Sequence, residues 1–201
     1  MDKQLGIAIR NHAKQFGYRK SDYYAFKKYK DYFISIGFND GYSEIRGTAE
    51  IKPYFIDDVF WDVFDMSSNK DQPMSLRARG AFVLGGISVV HLKFPVHQSL
   101  DEIDEIVQEI LKEADEECIK FVDELGDDVD NFVNIAEKSE GGYGFDINLI
   151  KMLYHIKNNS FEKALMLAKE EISKGNRGYF CSSTKDIYEY VVDYCNERLS
   201  D

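Results

Sequence analysis

Fourteen carboxylates and only two lysines lie between Asp101 and Asp130, so this stretch carries net −12 in a chain whose total charge is −11. Within it Asp101, Asp104, Glu105, Glu109, Glu113, Glu116 and Glu117 recur on the side of a helical pattern away from its apolar residues, which points them at solvent. The plain reading is a solvated helix face. Against it stands the shortage of countercharge: only Lys112 and Lys120 are available, and like charges four residues apart on a helix repel. A basic partner would relieve that repulsion, so these seven residues are the candidate partner-binding set, with a basic protein as the expected occupant. Calcium is a poorer occupant, because Asp127, Asp128 and Asp130 lack the spacing of a twelve-residue calcium loop.

The other residues able to do chemistry do not converge. His12, His91, His97 and His155 form no HxxxH or HExxH pattern, and the expectation is no metal site. Cys118, Cys181 and Cys195 are far apart and outside any CxxC spacing, which fits reduced thiols. Cys181, ahead of a helix, could have a lowered pKa there, but no base is spaced to serve it. Gly80 to Gly86 and Gly141-Gly142-Tyr143-Gly144 lack both GxGxxG and a phosphate-binding lysine, so they read as turns. No motif names a reaction, and the chain is expected to be no enzyme and to need no cofactor. Arg19, Lys20, Lys27, Lys28 and Lys30 interleave with Tyr18, Tyr23, Tyr24, Phe26 and Tyr29, a mixture that can bind single-stranded nucleic acid. In strands it more often marks one packed and one solvated face, and the acidic balance argues against nucleic acid as a partner.

With 44% hydrophobic and 14% aromatic residues and three prolines in 201 positions, the chain has enough apolar material for one ordered domain. No apolar run reaches the roughly 20 residues that span a bilayer. Met1-Asp2-Lys3-Gln4 leads into an amphipathic segment and not an apolar leader, so the expectation is a cytoplasmic protein with no membrane partner.

These residues must be positioned by a small set of elements. Leu5, Ile7, Ala8, Ile9, Ala13 and Phe16 predict a helix closed by Gly17. Two aromatic and β-branched runs, Tyr24 to Phe26 and Phe33 to Phe38, flank Tyr29-Lys30-Asp31 and predict a β-hairpin. Residues 43–52 alternate apolar or small with charged and predict a strand with one solvated face, ended by Pro53. Ile56, Phe60, Val63 and Phe64 predict a short helix. Ala81 to Leu84 and Ile87 to Phe94 read as two strands around Gly85-Gly86. Ser99 and Glu102 form a capping-box pair. From Ile103 to Leu125 an apolar stripe predicts a helix of about 25 residues, near 38 Å long. Phe132 to Lys138 predicts a shorter helix, Ile147 to Lys157 and Phe161 to Ser173 a helical hairpin, and Thr184 the cap of a last helix packed through Ile187, Tyr190, Val191, Tyr194 and Cys195.

The expected fold class is α+β: an antiparallel sheet of about five strands with an N-terminal helix, followed by a C-terminal helical subdomain built on the long acidic helix. One domain with two lobes, 1–97 mixed and 98–201 all-helical, is expected to share a core. The opening helix, the step Phe16-Gly17-Tyr18-Arg19-Lys20 and the hairpin through Phe38 resemble the start of a bacterial domain of unknown function, some of whose members are assigned to toxin immunity. That resemblance implies a helix followed by a meandering sheet and transfers no catalytic residue. Together these readings predict a non-enzymatic protein-binding protein, of immunity type, acting on a basic bacterial partner. The alternative is a homo-oligomeric assembly module in which the apolar stripe continues onto a neighbouring subunit.

Overall fold

In the computed structural model, residues 2–41, 43–96, 100–126, 129–142, 144–182 and 185–200 are described. In chain order they form α1 (Asp2–Ala13), β1 (Arg19–Ser21), β2 (Tyr24–Tyr29), β3 (Tyr32–Asp40), β4 (Glu44–Pro53), α2 (Phe55–Val63), α3 (Leu76–Arg79), β5 (Ile87–Pro95), α4 (Leu100–Leu125), α5 (Val129–Ala136), α6 (Ile147–Lys157), α7 (Phe161–Ser173), β6 (Cys181–Ser182), β7 (Lys185–Asp186) and α8 (Ile187–Ser200). The fold is α+β. Its helices and strands divide into two compact units, residues 1–53 with 86–132 and residues 54–85 with 133–201.

The first unit is an antiparallel meander in the order β1-β2-β3-β4-β5, with α1 and α4 on one face. Gly17 closes the first helical segment at φ 75, a left-handed conformation that favours glycine. Alternation places Tyr32, Ile34, Ile36 and Phe38 of β3 beside Ile45, Ala49 and Ile51 of β4, all buried. Against them α4 buries Ile103, Val107, Ile110, Leu111, Ala114, Cys118, Val122 and Leu125. At Gly47 a β-carbon would lie 2.3 Å from Ile110 Cγ2, so the glycine leaves the room that the Ile110 side chain occupies. On the opposite sheet face Phe26 and Phe33 stack at 6.1 Å between ring centres, with the Lys52 ammonium 5.5 Å from the Phe33 ring.

The second unit packs α2 with α6 and α8, and α7 with α6 and α8. Phe60 meets Phe64 and Phe180, while Phe64 meets Phe82 and Tyr190. Asp146 caps α6 by accepting the Leu149 N–H at 3.0 Å and also accepts the Tyr188 hydroxyl at 2.8 Å. Ala164 and Ala168, fully buried four residues apart, let α7 approach its neighbours closely.

Residues 81–84, expected as a strand, form no ladder. The Trp61 indole N–H donates to the Phe82 carbonyl at 2.6 Å, and the Leu84 N–H donates to Asp57 at 3.2 Å, so side chains take the backbone groups a neighbouring strand would need. The fifth strand is instead β1, turned onto β2 through Asp22 at φ 55. The C-terminal part is not wholly helical, since β6 and β7 pair as a two-stranded ribbon. Each unit takes residues from both sides of position 97, because α4 lies on the sheet. Ser99, His97 and Thr184, and with them both expected caps, lie outside the described residues.

Candidate protein-binding face on the long helix

The apolar stripe of α4 divides its acids into two groups. On the flanks, three meet basic or hydroxyl groups from α1 and the sheet. Asp104 lies 2.7 Å from His12 Nε2. Asp115 accepts the Tyr18 hydroxyl at 2.9 Å and the Lys27 ammonium on the same oxygen. Asp123 pairs with Lys30 at 2.8 Å and accepts the Tyr29 hydroxyl at 3.2 Å. Hydrogen bonding to Lys30 holds the Asp123 carboxyl below the ordinary aspartate range.

Outward acids are different. Glu105, Glu109, Glu116 and Glu117 are exposed and Glu113 is half-exposed, and among the described residues none has an ion pair. Asp101 lies in the first turn of α4, and its side chain falls outside the described residues, as do Asp127 and Asp128. Of the seven candidate residues, the structure thus places five on one outward face and gives Asp104 a partner. Toward the helix C-terminus an open groove of about 580 Å³ is lined by Asp115, Glu116, Ile119, Lys120, Asp123 and Glu124. Its charged walls over an apolar floor suit a long cationic side chain, whose stem and head have different needs.

The remaining candidates stay apart. His91 is exposed and 3.2 Å from Thr48, while His155 lies against the Tyr154 ring. Among the described residues no group of three His, Cys, Asp or Glu side chains is placed to hold a metal ion. Burial first, then the Asp115 charge, pushes the Cys118 thiol up to about 12, and burial raises Cys195 to about 11. Neither offers a thiolate at neutral pH. Cys181 is exposed. Of the basic residues interleaved with aromatics, Lys27 and Lys30 serve Asp115 and Asp123, and Lys28 sits 3.6 Å from Asp31.

Sequence reasoning missed one buried ionic cluster. Arg77, 5% exposed, lies over the rings of Tyr54 and Trp61 at 4.1 and 4.8 Å and donates to Asp58 and to Asp57, which is fully buried. The signal was present: Asp57 falls in the same helical stripe as Ile56, Phe60 and Trp61, a position where an acid requires a partner. This cluster anchors residues 76–84 onto α2.

No helix among the described residues is long and apolar enough to cross a membrane. Compared with protein-family models, curated proteins and solved structures, the chain has no match. The resemblance drawn from the opening helix, the Phe16 to Lys20 step and the hairpin through Phe38 therefore rests on those residues alone.

Proposed function

We propose that the chain is a non-enzymatic protein-binding module, of immunity type, that docks a basic bacterial protein on the outward face of α4. One observation carries the reading. The flanking acids Asp104, Asp115 and Asp123 each form an ion pair with a basic residue from α1 or the sheet, whereas Glu105, Glu109, Glu113, Glu116 and Glu117 have no ion pair among the described residues. The fold neutralises the carboxylates it uses and leaves the rest as a coherent negative field, which accelerates and orients association with a cationic surface.

The tagged protein, recovered from its native host at low and then high salt, should bring down a stoichiometric basic protein that high salt releases. Glu109→Lys, Glu113→Lys and Glu116→Lys together should weaken that complex without unfolding the chain. Unchanged affinity in the triple variant would sink the reading. The assembly alternative asks for apolar residues of α4 left over for a neighbour, and its stripe is buried against α1 and the sheet.

A further inference from the structure

A second surface lies at the end of the sheet. β5 is its last strand, nine residues long, with no strand beyond it among the described residues. Val96 donates its N–H to Ser43, and backbone direction alternates along a strand, so Val90, Leu92 and Phe94 turn their backbone groups to β4. His91, Lys93 and Pro95 turn theirs to the open edge, where all three are exposed. Pro95 has no N–H to lose there, the position in which a sheet tolerates proline.

Side chains at this edge are not neutral. Arg46 and Lys93 are directly opposite in the β4–β5 register, as are Thr48 and His91. Since 43 and 96 are a hydrogen-bonded pair, 46 and 93 form the closer, non-hydrogen-bonded type, in which like charges oppose each other at short range. Glu44 engages Arg46, while Lys93 has no ion pair among the described residues. The edge thus offers the Lys93 ammonium on one face and Val90, Leu92 and Phe94 on the other. Two copies of the chain pairing here would bring cation to cation, the usual device against self-association. A strand bearing carboxylates meets no such penalty.

We infer that the β5 edge is a strand-addition site for an extended segment alternating acidic and apolar residues. Its backbone pairs with His91 and Lys93, its carboxylates lie on the Lys93 face, and its apolar side chains extend the layer of Val90, Leu92 and Phe94.

The probe is the peptide acetyl-Val-Glu-Val-Glu-Val-amide, with Val-Lys-Val-Lys-Val as control, titrated into the isotopically labelled full chain. Saturable shifts and slowed hydrogen exchange at the His91 and Lys93 amides, with the glutamate peptide favoured by about tenfold or more, are expected. Lys93→Glu should invert the peptide preference. His91→Pro removes an outward N–H and leaves the β4 ladder intact, so it should abolish binding in a chain whose circular dichroism is unchanged. Shifts confined to other surfaces, no saturable binding, or a folded His91→Pro variant that binds like the parent would each overturn the inference. So would a concentration-dependent dimer in sedimentation that His91→Pro dissociates, since the occupant would then be a second copy. Should His91→Pro fail to fold, retention or inversion of preference in Lys93→Glu decides.

Discussion

Lys27 of β2 and Asp115 of α4 form an ion pair in which both side chains are nearly enclosed, 12% and 14% exposed, and the pair joins the sheet to the long helix. Lys27 also donates to the Phe16 carbonyl at 3.2 Å and lies 4.4 Å from the centre of the Tyr18 ring. Removing one partner strands a charge with few routes to water. Lys27→Met should cost about 3 kcal/mol in denaturant unfolding. Adding Asp115→Leu should recover most of that loss, leaving about 1 kcal/mol for the Tyr18 hydroxyl that has lost its acceptor. A double variant as unstable as the single one would mean that packing, and not the stranded carboxylate, sets the cost.

Arg77 does in the second unit what a lysine could not. Its planar guanidinium lies over the Tyr54 and Trp61 rings while donating to the Tyr54 carbonyl at 3.0 Å and to two carboxylates. Arg77→Lys keeps the charge but loses the fork and the stacking, so it should destabilise by about 2 kcal/mol, and Arg77→Ala by more. Thermal unfolding of both variants checks the order.

Much of this fold was legible because period and burial coincide. The stripe from Ile103 to Leu125 and the alternation of residues 43–52 each fix one buried face, and the structure buries those faces; the other face of residues 43–52, expected to be solvated, is not solvated throughout, since Lys52 is buried beside the Phe33 ring. Partners distant in sequence were not legible. Nothing local to Lys27 announces Asp115, 88 positions away, so the shortage of countercharge on α4 was overstated for its flanks and held only for its outward face. Residues 81–84 carried the composition of a strand, and the side chains of Trp61 and Asp57 claimed their backbone. β1 was missed because three residues are too few for any period to show.

Two glutamates should respond to acid in opposite ways. Burial raises the Glu50 carboxyl above its ordinary range, against the lowering effects of the Gly86 N–H, Lys52 and His91. Its ionised form is therefore disfavoured in the folded chain, and the penalty grows as pH rises from the ordinary glutamate value through the folded one. Glu50→Gln should stabilise the protein at neutral pH and confer no advantage in acid. The Glu171 carboxyl is lowered by hydrogen bonds from Lys174 and then Asn176. Its contribution is present above the ordinary glutamate range and disappears as pH falls through its folded value. Glu171→Gln should thus cost stability at neutral pH and little in acid. Urea midpoints of the two variants across that range would show opposite slopes relative to the parent.

Gly47 and Ile110 set how closely α4 approaches the sheet. A β-carbon at 47 would overlap Ile110 Cγ2, so Gly47→Ala should cost about 2 kcal/mol through overpacking. Ile110→Ala alone should also destabilise, by about 3 kcal/mol, through the cavity it leaves. The two changes share one volume, and the double variant should be more stable than the sum of the single losses. Strict additivity in the double-mutant cycle would place the contact elsewhere.

The outward acids of α4 should be removable with a gain in stability. Glu105, Glu109 and Glu113 stand at successive intervals of four residues, and all lack ion pairs among the described residues. Glu109→Lys replaces the two repulsions with Glu105 and Glu113 by attractions, against one new repulsion with Lys112 three residues on, and should stabilise the isolated chain by about 0.5 kcal/mol. Added salt should raise the melting temperature of the parent more than that of the variant, because there is less repulsion left to screen. Weaker capture of the basic partner by the more stable variant would show that the face is kept for binding at the expense of stability. A variant that gains stability and binds as well as the parent would mean that the acids serve only solvation.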